Sequence, residues 1–278
     1  MITLQRNDGY LLNLEDLTCI TKITGLNFLN NEISTVKKAF GNGDIRVGSR
    51  IPSRIINIDC ECLIPEVKKK IRRILREFFR QDNTFRLNIN DIEIPLFIDC
   101  ELDLLDIEHI EENEGVIYIK ISLFCADPLF KSQNEFGRDI ASISEQGGFT
   151  MYFGDWNTLG VYNFAQEVFL GNDGDGAVYP TCTIYAEDEV VNFKLKKNGS
   201  EYINIIPNLK KGDEVYLDFT QGKMFINGVD RSNEITRDSI FFTIDVNGNN
   251  ISYVADIGEN VVKVFIFYNQ VYNGVDEL

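Results

Sequence analysis

In the segment IINIDCECL, Ile56, Ile58, Cys60 and Cys62 fall on one side of an extended chain and Asn57, Asp59 and Glu61 on the other. Side chains alternate between the two faces of a strand, so this pattern predicts a strand with one buried and one wet face, the mark of an antiparallel sheet. The scheme repeats in FRLNIN and in IEIPLFIDCELDL, through Ile92, Ile94, Leu96, Ile98, Cys100 and Leu102. It returns in VIYIKISLFC through Ile117, Ile119, Ile121, Leu123 and Cys125. A first half built this way is a sheet domain before anything else is known of it.

One segment changes period. PEVKKKIRRILREFFRQD opens with Pro65 at a plausible first helical position and sets Val67, Ile71, Ile74, Leu75, Phe78 and Phe79 on one helical stripe. Its other face is basic: Lys68, Lys69, Lys70, Arg72, Arg73, Arg76 and Arg80 against Glu66 and Glu77. A solvated basic face on a helix that covers a sheet is one reading; a membrane or nucleic-acid surface is another. A third pairs the helix with residues 99–114, which hold eight acidic residues, Glu108, Glu111 and Glu112 among them, and no Lys or Arg. That pairing can lie within one molecule or between copies.

Beyond CADPLFKS the chain becomes polar and irregular, and then a series of short strands follows. Strong turn signals punctuate it: Asn198-Gly199, KKGDE, Gln221-Gly222, Asn227-Gly228 and VNGNN. Such spacing predicts a β-sandwich. At 278 residues the chain is long enough for two domains, and the change of character places them at 1–132 and 133–278.

Charge and cysteine usage bound the function. A net charge of -16 argues against wrapping of DNA or RNA by the whole surface, which needs a basic footprint. No apolar run reaches the length of a membrane-spanning helix, and MITLQRNDGYLLNLEDL lacks the features of a signal peptide, so a cytoplasmic site of folding is expected, with no membrane partner. Of the six cysteines, Cys60, Cys62, Cys100, Cys125 and Cys182 sit on the apolar side of alternating strands, and there is no CxxC pair. Buried reduced thiols are expected rather than a disulfide framework or a zinc site.

The chemical motifs do not assemble into a catalyst. GNDGDG, residues 171–176, offers paired aspartates, but counting an EF-hand from Asp173 puts Ala177 at the fifth position and Ile184 at the twelfth, where calcium needs oxygen ligands. A turn is the alternative, with Gly174 and Gly176 at positive φ and Asn172, Asp173 and Asp175 bonding the local backbone. His109 is the one histidine and lies in the acidic DIEHIEENEG. No G-x-S-x-G elbow and no phosphate-cradling glycine loop accompanies it, and GNGDIRVG lacks the helix that a phosphate loop requires. No catalytic, cofactor-binding or metal residues are assigned. MYFGDWNTLGVYNF brings Tyr152 and Trp156 among other aromatics, either as platforms for sugars or as packing at the junction of the two halves.

The order of these elements resembles the distal tail protein (Dit) family of tailed bacteriophages over nearly the whole chain. The resemblance rests on IRVGSRIPSRIINIDCECL, then the helix PEVKKKIRRILREFF with FRLNINDIEIPLFIDCEL, then ISLFCADPLFKS, then LGNDGDGAVYPTCTIYAE. KKGDEVYLDFTQGKMFINGVD and VNGNNISY are similar to the strand and turn order of the family's galectin-like second domain. GSRIPSR departs from the PGRDG-like loop of many members.

The resemblance implies a mainly β structural protein: a sandwich-like N-terminal ring domain with one amphipathic helix, and a C-terminal galectin-like β-sandwich. It implies a homo-hexameric ring between the tail tube protein and the tail hub or lysin-type protein, supporting receptor-binding or baseplate proteins. Genomic DNA passes only through the channel, and assembly takes place in the bacterial host cytoplasm before the virion tail is complete. Complementary patches for a heterologous ring are then Lys68, Lys69, Arg72, Arg73 and Arg76 on the helix and Glu108, Glu111 and Glu112 on the acidic hairpin. The rival reading is a carbohydrate- or host-surface-binding module using Tyr152 and Trp156.

Overall fold

A computed structural model describes residues 2–62, 68–80, 82–109, 116–139, 143–144, 163–164 and 167–275. The chain divides into two compact units, Met1–Asn134 with Val271–Leu278, and Glu135–Gln270. The sequence division near residue 132 assigned the last residues to the second domain; the structure returns them to the first, where they complete its sheet.

The first unit contains β1 (Ile2–Arg6), β2 (Leu11–Asn13), β3 (Cys19–Thr24), β4 (Glu32–Lys37), β5 (Asp44–Arg50) and β6 (Arg54–Cys62). Helix α1 (Lys68–Phe78) follows, then β7 (Thr84–Ile89), β8 (Leu96–His109), β9 (Ile117–Cys125) and β10 (Phe130–Ser132). The main sheet runs β2-β1-β7-β8-β9-β6-β3, and every pairing is antiparallel. The long β8 pairs with β7 along one edge; on the other it pairs with β10 at its start and β9 beyond.

The predicted alternation sets the core. Ile56, Ile58, Cys60, Cys62, Ile98, Cys100, Ile119, Ile121 and Leu123 are all buried. α1 turns Ile71, Leu75 and Phe78 onto this face, with Phe79 just beyond the helix, and each such burial contributes roughly 1.5–3 kcal/mol. Phe78, Phe79 and Phe85 form a ring cluster with centroids 5.0–5.3 Å apart. The alternation fails at the start of the β7–β8 connection. Ile94 is exposed and Ile92 only partly buried, because residues 90–95 turn outside the ladder and β8 begins at Leu96.

The second unit contains β11 (Phe136–Asp139), β12 (Ile143–Ser144), β13 (Asn163–Phe164), β14 (Glu167–Leu170), β15 (Thr181–Ala186), β16 (Lys194–Lys197) and β17 (Glu201–Asn204). It continues with β18 (Glu214–Asp218), β19 (Lys223–Ile226), β20 (Val229–Asp230), β21 (Asn249–Val254) and β22 (Val262–Tyr268), after which β23 (Val271–Tyr272) rejoins the first unit. Two antiparallel sheets, β11-β22-β15-β18-β19-β20 and β14-β21-β16-β17, each bury one face. Cys182, Ile184, Leu217 and Ile266 line the first buried face, and Leu195, Ile203, Ile251 and Tyr253 the second. The turn signals work as read. Asn227 and Gly228, at φ 51 and 77, form the two-residue loop between Ile226 and Val229, a geometry whose twist matches the flanking strands.

Candidate assembly surface

β4 and β5 form a two-stranded sheet of their own, from Glu32 opposite Arg50 to Lys37 opposite Asp44. GNGDIRVG, which the sequence offered only as a glycine-bearing loop, is the tip and second strand of this hairpin. All its strand residues except Gly48 are exposed, including Ile33, Val36, Ile45 and Val47, and Phe40 at the tip is 93% exposed. A lone two-stranded ribbon is marginal in water, and a cluster of exposed apolar side chains marks an interaction surface. Arg50 and Glu32 close the base at 3.0 Å, a pair too solvated to contribute more than about 1 kcal/mol.

The basic face of α1 is the second feature. Arg73, Arg76 and Arg80 are exposed, and with Arg72 and Glu77 they line an open cleft. Arg72 is partly buried, and its Nε has no hydrogen-bond partner. Among the described residues, none of these arginines forms an ion pair with an acidic residue of β8. Asp99 is instead held by Arg86, at 2.7 and 3.2 Å, and Asp103 accepts from the Ser122 hydroxyl at 3.1 Å. Lys68 and Lys69 begin α1 and Glu108 lies in β8, but their side chains fall outside the described residues, as do Glu111, Glu112, Tyr152 and Trp156 altogether.

A buried cation ties the first unit together. Arg54 shares the inward register of Ile56 and Ile58 and is 0% exposed. Its Nε donates to the Pro128 carbonyl at 2.8 Å, and Nη1 donates to those of Gly25 and Asn27 at 2.6 and 2.8 Å. Nη2 donates to the Asn273 carbonyl at 2.5 Å, and the guanidinium carbon lies 4.6 Å from the Phe130 ring centroid. Burial lowers the Arg54 pKa, but a guanidinium keeps its proton, and hydrogen bonds to charged groups are the strong ones. The Asn273 side chain bonds both the N–H and the carbonyl of Leu29, and Val275 N–H donates to Leu26 O at 3.0 Å.

In the second unit GNDGDG is a turn organised by a side chain. Asn172 is buried; its Nδ2 donates to the Gly176 and Ile244 carbonyls at 2.9 and 3.1 Å, and its Oδ1 accepts from Gly174 N–H at 3.1 Å. The expected positive φ at Gly174 and Gly176 does not occur. The Asn172 amide supplies the partners that would otherwise demand a tighter backbone.

Comparison with known proteins follows the same division. No protein of curated function matches the chain by sequence. Residues 173–272 match the family described as siphovirus-type tail component, C-terminal domain. Among solved structures, the Dit protein (gp 19.1) of phage SPP1 has a TM-score of 0.73 at 12% identity, over 98% of this chain and 99% of that one. A chain of the phage P2 baseplate, in its activated conformation with calcium, has a TM-score of 0.54 at 8% identity, over 99% and 100%. The same baseplate with strontium gives the same values. The chain has the fold of the SPP1 Dit protein over 98% of its length, and the match to the siphovirus-type tail component, C-terminal domain, spans residues 173–272.

Proposed function

We propose that the protein is a distal tail component that closes into a homo-hexameric ring, joining the tail tube to the central hub and supporting receptor-binding or baseplate proteins through a galectin-like second unit. The SPP1 protein of the same fold is described as a paradigm of the hub adsorption apparatus in phages that infect Gram-positive bacteria. The observation that carries the ring is the β4–β5 hairpin, whose apolar side chains have no cover within the described chain. A heterologous ring gives each hairpin a neighbour and leaves no copy at an end. The unpaired arginines of α1 and the acidic segment that begins in β8 are the charged half of the same contact, between copies rather than within one. Its place is the virion tail, after assembly in the host cytoplasm, with DNA as passing cargo.

Native mass measured over a range of concentration and salt tests this reading. Reversible assembly towards a sixfold species is expected, weakened by salt and by reversing Lys69, Arg72 and Arg73 to glutamate. Assembly indifferent to that reversal and to salt would remove the charged contact, and a strict monomer under every condition would count against the ring.

A further inference from the structure

Three strands of the first unit bring two thiols and a guanidinium side by side. Arg54 on β6 is paired with Cys125 on β9. β8 and β9 run antiparallel with Glu101 opposite Phe124, which sets Cys100 opposite Cys125. Both residues are buried, at 4% and 0% exposure, and belong to the same core cluster. The neighbouring Cys100 thiol and the charge of Arg54 hold Cys125 below the ordinary thiol range against its burial, while Cys100 is pushed up. The other cysteines have no such arrangement. Cys19 is exposed, Cys182 lies alone in the second unit, and Cys60 and Cys62 stand two residues apart on one strand, about 7 Å from Cα to Cα.

We propose that Cys100 and Cys125 are an oxidisable pair, which a hydroperoxide converts to a cross-strand disulfide joining β8 to β9. A thiolate is the nucleophile in such chemistry, and a second thiol beside it resolves the first product. The Cys125 thiolate attacks one peroxide oxygen, the O–O bond breaks, and the departing hydroxide takes a proton to become water. The sulfur of Cys100 then attacks the resulting sulfenic acid, its S–O bond breaks, and a second water forms. In sum, two thiols and one hydrogen peroxide yield one disulfide and two waters. Directly opposed Cβ atoms lie about 4.5–5.5 Å apart in a sheet and about 3.5–4.5 Å apart in a disulfide, so closure needs a shift of roughly 1 Å. This site lies inside the first unit and does not depend on the ring.

The test uses the full chain carrying Cys19→Ser, so that the exposed thiol cannot crosslink copies. Reduced protein is treated with hydrogen peroxide under native conditions, the remaining thiols are blocked in denaturant, and the products are read by mass spectrometry. The expected result is the loss of two thiols and a linked peptide pair holding Cys100 and Cys125, absent from Cys100→Ala and Cys125→Ala. Oxidation of single sulfurs without that linked pair would overturn the proposal. If an alanine variant does not fold, the unfolding temperature of the peroxide-treated parent decides. A rise of several degrees, reversed by dithiothreitol, supports the staple, and an unchanged value overturns it.

Discussion

Arg54 donates to the backbone carbonyl of Asn273, 219 residues further along the chain, at 2.5 Å. Three more carbonyls, of Gly25, Asn27 and Pro128, share the same guanidinium. Replacing Arg54 with methionine fills the volume but strands all four acceptors in a dry site. A loss of about 3–5 kcal/mol is expected, since breaking a buried charged network costs far more than it contributes. Arg54→Lys is expected to restore little, because an ammonium cannot span four carbonyls with a planar fork. Urea denaturation measures both, and hydrogen exchange should show faster opening of residues 25–29 and 271–275.

Gly25 meets the same network from the other side. Its φ is +91, and a Cβ there would lie 2.1 Å from the Ile55 carbonyl oxygen. Gly25→Ala must therefore move β6 or the loop that feeds Arg54, and a cost of about 2 kcal/mol or more is expected from strain and collision together. Gly9→Ala is the control: its φ is +88 but a Cβ would meet nothing within 4 Å, so only the conformational cost remains.

The hairpin makes the opposite prediction. Ile33→Asp or Val47→Asp changes an exposed side chain, so the stability of the monomer should change little, within about 0.5 kcal/mol. Self-assembly followed by native mass should weaken at least tenfold. Equal loss of folding and assembly would show that the hairpin supports the subunit rather than the contact.

In the second unit Lys197 is buried, with its Nζ 2.6 Å from Asp245 and 3.8 Å from Glu201. The hydrogen bond from Lys197 is the main reason that the Asp245 carboxyl titrates below its usual value, with Thr243 and Asn249 assisting. A depressed folded-state pKa means that this contribution is fully present above the unfolded value of about 3.9 and is lost as the pH falls from there through the lower folded-state value. The Asp245 side chain is half exposed and Glu201 stays near the ammonium, so Asp245→Asn should destabilise by only about 1 kcal/mol at neutral pH, and should flatten the acid limb of the stability curve. Thermal unfolding between pH 2 and 7 checks both.

Period-two alternation carried most of the first sheet, because β6, β8 and β9 each have one wet face. It misplaced Ile92 and Ile94, where apolar spacing continues through a connection that leaves the ladder. The basic helix was legible from its stripe, and the Asn-Gly turns of the second unit from their demand for positive φ. The hairpin was not read: DIRVGSR alternates after a glycine-rich tip, but in EISTVK Ile33 and Val36 stand three apart across a bulge, and both strands are exposed, so neither follows the apolar register that marks a buried strand. Arg54 did leave a trace, since it keeps the parity of Ile56 and Ile58 and so had to be either an error of phase or a buried cation. The partners of that cation come from three distant segments, which no local pattern can join.

The pairing of β10 with β23, Phe130 opposite Tyr272 and Lys131 opposite Val271, carries a consequence for how such a chain changes over time. The strand that leaves the first unit and the strand that returns to it are hydrogen-bonded neighbours, so everything from Glu135 to Gln270 hangs from two adjacent points. The second unit is thus a cassette: a different module, or a short Gly-Ser bridge, can occupy the same two attachment points without disturbing the sheet beneath. A stop placed after residue 134 is a different matter, since it would discard Asn273 along with the cassette and leave Arg54 with one of its four carbonyls missing.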